Sequence, residues 1–260
     1  MTREVSYALM DPDGNRTVLV TTPVSVAEQP AVAAALMAQE PTAEQTGFFS
    51  REGDKLTLRM AGGEFCGNAT MSAAAYHAVK AGISGGVFAV TVSGADAPVR
   101  VELEPLSGGA WQGTVAMPTP VSARQVRFPD GQTLPVVAFK GISHVIAEQP
   151  ISREDAERLV KSRCAYLGAD ALGLLFLDRR ANTLTPLVYV PAADTLFWES
   201  ACGSGASAVG WWLACEVDKR VTSAFRQPGG TLTVTASPDG EITLRGTVRC
   251  VYEKTVSIDL

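Results

Sequence analysis

Apolar and polar positions alternate along most of this chain, and runs with helical spacing break the alternation four times. Residues 5–9 and 17–21 have the period of two expected of half-buried strands, and the intervening Asp11-Pro12-Asp13-Gly14-Asn15 is dense in turn formers. Ser25 and Glu28 stand at capping-box spacing and Pro30 suits a first turn, so a helix is predicted over about 30–39. Residues 47–49 and 55–60 read as paired strands around a Glu52-Gly53-Asp54 turn. A helix over 69–81, stopped by Gly82, precedes strands at 86–92 and 99–103. The order then repeats. Strands at 134–139 and 143–147 lead to a helix from Ser152, capped with Asp155, to about residue 161. Strands at 173–177 and 184–190, a helix over about 205–216, and strands at 231–235, 241–244 and 248–251 complete the series.

The second helix of each half is small or apolar on nearly every side, as in Met71-Ser72-Ala73-Ala74-Ala75-Tyr76 and Ala206-Ser207-Ala208-Val209-Gly210-Trp211-Trp212. A helix without a polar face is a buried helix. Both are preceded by a cysteine and a glycine, in Glu64-Phe65-Cys66-Gly67-Asn68-Ala69-Thr70 and Glu199-Ser200-Ala201-Cys202-Gly203-Ser204-Gly205. Gly94 follows Cys66 by 28 residues, and Gly230 follows Cys202 by the same 28. This register predicts an internal duplication, with an N-terminal lobe over 1–118 carrying Cys66 and a C-terminal lobe over 119–249 carrying Cys202, divided near Pro118-Thr119-Pro120.

Composition narrows the function classes. The chain has 260 residues, a net charge of −5 and only 7% aromatic residues, which argues against a polyanion-binding or base-stacking surface and so against a nucleic-acid partner. No apolar run approaches a membrane span, so a cytoplasmic protein is expected. The five cysteines are odd in number and form no C-x-x-C, and the only histidines are His77 and His144, so free thiols are expected and no metal site.

A thiol is a base only as a thiolate, and the partial positive charge at a helix start favours that form. Cys66 and Cys202 are the candidate catalytic pair: facing one carbon, they would take a proton from one side and return it on the other. The backbone N–H groups of Gly67, Asn68, Gly203 and Ser204 are candidates to hold a substrate carboxylate. No pocket for pyridoxal phosphate is recognisable, so no cofactor is expected. Cys164, Cys215 and Cys250 lack this setting and read as inert core residues; Cys215 falls deep inside its predicted helix. His77 reads as a core histidine, and His144 as either core or cleft lining. The Gly203–Gly210 run does not have the spacing of a dinucleotide fingerprint.

The paired Cys-Gly-Asn and Cys-Gly-Ser-Gly signatures, with the early Gly14-Asn15 turn, resemble the diaminopimelate epimerase fold family over essentially the whole chain. The resemblance implies an α+β fold of two pseudo-symmetric lobes, each a mainly antiparallel curled sheet around a central helix, with the C-terminal strand, 250–260, returning to the first lobe. It also implies a cofactor-independent racemase or epimerase acting on an amino acid, with a homodimer common among relatives. Within the family, Glu44-Gln45-Thr46-Gly47-Phe48, Trp198-Glu199-Ser200-Ala201-Cys202 and Gln227-Pro228-Gly229-Gly230 resemble most the histidine racemases of staphylopine-type, nicotianamine-like metallophore biosynthesis. Diaminopimelate epimerases carry an arginine just before the second cysteine that holds the substrate's distal end; residues 192–199 contain none. By resemblance Glu44 faces an imidazole, Glu199 faces the α-ammonium, and Asn15 and Asn68 fix the carboxylate. Phe197 and Trp198 either wall the pocket or pack the lobe interface. The alternatives are a diaminopimelate epimerase or racemase of another amino acid, an isomerase of the phenazine-biosynthesis branch using an acidic residue, and an amino-acid-binding module without turnover.

Overall fold

The computed structural model describes residues 2–149 and 151–259. The chain forms two compact units: Met1–Ala116 with Arg245–Leu260, and Met117–Leu244.

In the first unit β1 (Thr2–Pro12), β2 (Thr17–Val20), α1 (Gln29–Gln39), β3 (Gln45–Glu52), β4 (Lys55–Met60), α2 (Gly67–Ala81), β5 (Gly86–Val92), β6 (Val99–Pro105) and β7 (Trp111–Met117) follow one another. The strands neighbour each other in that order, β7 lies beside the last strand of the chain, β16 (Ile242–Asp259), and β16 pairs with β1. The eight strands therefore close on themselves, which removes the exposed edges that an open sheet presents. Within the ring α2 packs against β1, β2, β4, β5 and β6. Its residues 67–78 are all buried, as a helix enclosed by a curled sheet must be.

The second unit contains β8 (Ser122–Arg127), β9 (Thr133–Phe139), β10 (Ile142–Ala147), α3 (Arg153–Leu167), β11 (Leu172–Asp178), β12 (Thr183–Val190), β13 (Thr195–Trp198), α4 (Gly203–Val217), β14 (Val221–Arg226) and β15 (Thr231–Ala236). The two units share a pattern of strand directions. The β2-α1-β3, β4-α2-β5 crossovers are parallel, and β3–β4 and β5–β6 are antiparallel. The β10-α3-β11 crossover and the β12–β14 pair are likewise parallel, and β11–β12 and β14–β15 antiparallel. A parallel pair needs a crossover connection, so each helix sits where the strand direction requires one. The α+β architecture expected from the sequence is the one observed.

Several local expectations change. Ser25 does not cap α1. Its N–H and hydroxyl both donate to the Glu28 carboxylate, and Glu28 itself takes the cap position without a side-chain cap bond. Ser152 does cap α3, receiving the Asp155 N–H at 3.1 Å, but the helix runs on to Gly168, whose positive φ of 62° ends it. The strands β7, β8, β13 and β14 go beyond the predicted set. β8 is exposed at five of its six positions, so no apolar alternation marks it. The separate strands predicted at 241–244 and 248–251 are one strand of 18 residues. Cys215 is exposed near the end of α4 rather than in a core, because α4 emerges from its sheet over its last turns. Among the described residues no helix is long and apolar enough to cross a membrane.

The return of β16 is locked by a buried carboxylate. Glu40, just beyond α1, is 4% exposed. It accepts from the Tyr7 hydroxyl, from the Tyr252 hydroxyl at 2.6 Å, and pairs with the Lys254 ammonium at 2.6 Å. Burial raises the Glu40 pKa, but the bonds from Lys254, Tyr252 and Tyr7 outweigh it and hold the carboxyl below its ordinary value. Its contribution to stability is therefore present above the ordinary carboxylate range and lost as pH falls through the lowered folded value. Glu40→Ala removes the shared acceptor and is expected to cost about 2–4 kcal/mol at neutral pH, read by urea unfolding, with the deficit shrinking at acidic pH.

Candidate active site

Each buried helix begins at a cysteine because a helix start leaves N–H groups without partners. Cys66 is the N-cap of α2, with extended backbone (φ −135°, ψ 113°), and its sulfur accepts the Ala69 N–H at 3.4 Å. Cys202 is the N-cap of α4 (φ −101°, ψ 105°), and its sulfur accepts the Gly205 N–H at 3.4 Å. Sulfur thus takes the place that a serine or aspartate oxygen usually fills.

Around Cys66 the first unit assembles an amide cluster. Asn68, in the first turn of α2, donates through Nδ2 to Asn15 Oδ1 at 3.0 Å, and both residues are buried. Gln45 Nε2 donates to the same Asn15 oxygen at 2.8 Å and to Thr17 Oγ1 at 2.9 Å. Asn15 Nδ2 in turn donates to Glu44 Oε2 at 2.6 Å. The two donors on Oδ1 and the carboxylate on Nδ2 fix which way the Asn15 amide points. Asn15 is presented by the turn in which Asp13 and Gly14 have positive φ (51° and 90°), braced by the Gly14 N–H to Asp11 Oδ1 at 2.7 Å.

In the second unit Cys202 is 5% exposed. Burial first, and then the charge and hydrogen bond of Glu199, push its thiol well above the usual cysteine value, against the smaller opposing pull of Ser204 and the Gly205 N–H. The helix start lowers the Cys202 pKa as expected, but beside a carboxylate and out of water the neutral thiol wins. Glu199 is therefore in direct contact with the thiol. Ser204 Oγ lies 3.6 Å from the sulfur and 3.0 Å from His144 Nε2. His144 is fully buried, which lowers its pKa to about 3 and keeps it neutral. Its Nδ1 has no partner. A bare lone pair is the cheaper group to leave unpaired, which assigns the proton to Nε2, donating to Ser204 and leaving the serine hydroxyl to donate to sulfur.

A turn braces the cysteine-bearing segment in both units, through Ser93 and Gly94 in the first and through Gln227 and Gly229, rather than Gly230, in the second. A methyl at Gly94 (φ +77°) would lie 2.4 Å from the Phe65 nitrogen, and the neighbouring Ser93 hydroxyl donates to Glu64 O at 2.8 Å. In the second unit Gly229 N–H donates to Ser200 O at 2.8 Å, and the Gln227 side chain bonds the Cys202 backbone. In both, a turn returning from the sheet braces the segment that delivers the cysteine.

A family profile described as histidine racemase CntK N-terminal domain matches residues 4–256. The chain belongs to this family. It is an amino-acid racemase, an isomerase. A histidine racemase of Staphylococcus aureus is 27% identical over 249 residues, covering 91% of this chain and 90% of that protein. One from Fusobacterium nucleatum is 31% identical over 229 residues, covering 83% and 82%. Among solved structures, a phenazine biosynthesis protein of the PhzF family from Bacillus anthracis superposes with TM-score 0.69 at 13% identity, covering 98% of this chain and 99% of that one. A probable proline racemase from Agrobacterium radiobacter superposes with TM-score 0.67 at 12% identity, covering 98% and 93%. These two share the fold.

Within the racemase, Asn15, Glu44 and Asn68 are brought into direct contact, with Cys66 and Gly67 at the same helix start. Glu199, Cys202, Gly203 and Ser204 form the second group. Trp198 stacks on Phe176 at 5.9 Å and donates to Glu157 of α3 at 2.8 Å, so it packs its own unit, whereas Phe197 is exposed. His77 is a core residue against Phe88. The sequence reading missed Gln45, although it adjoins Glu44, and gave Gln227 no role. It left His144 undecided between core and cleft; the ring is buried and touches the site through Ser204. The signal for His144 lay in its strand partner, Gly173, where a methyl would lie 2.2 Å from Nδ1. Gly173→Ala is expected to displace the ring, cost about 1–3 kcal/mol in thermal unfolding, and slow racemisation by removing the Ser204 donor network.

Proposed function

We propose that this racemase interconverts L- and D-histidine without a cofactor, using Cys66 and Cys202 as the two acid–base groups at Cα. The observation that carries the reading is the shared N-cap geometry of the two cysteines, each sulfur 3.4 Å from a helix N–H, in a chain of the histidine racemase family. Two sulfurs held in the same cap geometry suit a reaction whose substrate and product are mirror images at one carbon.

Burial and Glu199 keep Cys202 protonated at rest, so Cys202 enters as the acid. For one enantiomer Cys66 removes the α-proton and the Cys202 thiol delivers its own to the opposite side. The sulfur left on Cys202 is then a thiolate, and the Gly205 N–H and Ser204 hydroxyl stabilise it. The reverse direction starts from that second protonation state. The side-chain amides of Asn15 and Asn68, with the helix-start N–H groups of Gly67, Gly203 and Ser204, hold the carboxylate. Glu44 takes the imidazole N–H and Glu199 the α-ammonium. We further propose, on the resemblance read from the sequence alone, a D-histidine supply to metallophore biosynthesis, a cytoplasmic location and a homodimer. The lack of an arginine in residues 192–199 disfavours a substrate with a second amino-acid end.

A panel of L-amino acids in heavy water without added cofactor, read by chiral chromatography and mass spectrometry, is expected to give D-histidine carrying one deuterium at Cα. Cys66→Ser and Cys202→Ser are each expected to lower turnover about 10²–10⁴-fold. Full-rate racemisation by either variant would defeat the two-thiol reading. Faster turnover of another amino acid would defeat the substrate.

A further inference from the structure

Gln227 is 5% exposed, and its side-chain amide lies against a single residue. Oε1 accepts the Cys202 backbone N–H at 2.8 Å, and Nε2 donates toward the Cys202 carbonyl at 3.4 Å. Its own backbone is held in a tight turn, donating to Gly230 O at 2.7 Å and receiving Gly230 N–H at 3.3 Å, while Pro228 restricts the turn between them. The Cys202 carbonyl also receives the Ala206 N–H that begins α4. The amide thus grips both polar groups of one peptide residue, as a neighbouring strand would.

We infer that Gln227 is a positioning residue for the racemase reaction: its amide fixes the Cys202 backbone in the extended cap conformation that holds the sulfur over the Gly205 N–H. The inference rests on the proposal that Cys202 handles the α-proton. The physical link is short. The sulfur is one bond beyond Cβ, so rotation of the Cys202 backbone swings it away from the helix start. Position 205 has to remain bare for the sulfur to approach, because a methyl at Gly205 would lie 3.1 Å from the sulfur and 2.8 Å from Leu175 Cδ2. The other groups that bear on this sulfur are Glu199 and, through Ser204, the neutral His144.

Two substitutions separate positioning from packing. Gln227→Leu keeps the shape and removes both bonds. Gln227→Glu restores the grip only when its carboxyl is protonated, with C=O accepting the Cys202 N–H and O–H donating to the carbonyl; ionised, it opposes that carbonyl. Racemisation by Gln227→Leu is expected to fall about 10²-fold, the cost of a reacting group displaced by about an ångström. The kcat/KM of Gln227→Glu relative to the unmodified enzyme is expected to be near unity at acidic pH and to fall as pH rises. Iodoacetamide alkylation, followed at Cys202 and Cys66 separately by peptide mass spectrometry, is expected to show a higher pH midpoint at Cys202 in Gln227→Leu and an unchanged midpoint at Cys66. A Gln227→Glu defect independent of pH, or equal shifts at both cysteines, would reduce Gln227 to a packing residue and overturn the inference. Full activity in Cys202→Ser would instead overturn the two-thiol reaction and leave the alkylation result standing.

Discussion

A buried helix has to satisfy the N–H groups at its start without water, and in this racemase sulfur does so twice. α2 and α4 are enclosed by sheets, so their first turns cannot rely on solvent. The sulfurs of Cys66 and Cys202 accept the N–H three residues ahead, and the same contact that caps the helix places each sulfur in a field that favours negative charge. Structure and chemistry therefore share one atom in each unit. The turns at Ser93-Gly94 and Gln227–Gly230 serve this contact, because a cap functions only if the chain leading into it is held extended.

The two units surround their sulfurs differently. Asn68, Asn15, Glu44 and Gln45 form a chain of amides and a carboxylate in the first unit, where Cys66 is partly exposed. Cys202 is enclosed, in contact with Glu199 and with Ser204, which bonds the neutral His144. The two cysteine caps have the same frame, and the difference between the units lies in polarity. The helix start alone does not set the protonation of Cys202, because desolvation and an adjacent carboxylate exceed what one N–H and one hydroxyl return.

The regular parts of the fold were legible because they follow local rules. The Gly82 stop of α2 and the Ser152 cap of α3 depend on residues within one turn, and the sheet alternation at 55–60 and 231–236 depends only on which face is buried. β8 was not legible, since an exposed strand is stabilised by its neighbour β9 rather than by its own pattern. Ser25 and Glu28 had capping-box spacing, yet the chain formed a turn between them and began the helix at the next residue. Spacing specifies which atoms can meet, not which of two hydrogen-bonded arrangements forms.

The sequence by itself determined the two cysteine–glycine helix starts, the enclosed character of the helices behind them, and the repeat that relates them. These are properties of neighbouring residues and of periodicity. Only the tertiary structure decided that Asn15 meets Asn68 across 53 residues of chain, that Glu40 receives Lys254 and Tyr252 from the returning strand, and that Gly173 makes room for His144 beneath Ser204. Such contacts join atoms far apart in the chain, and their energies depend on burial, which no local pattern of residue types records.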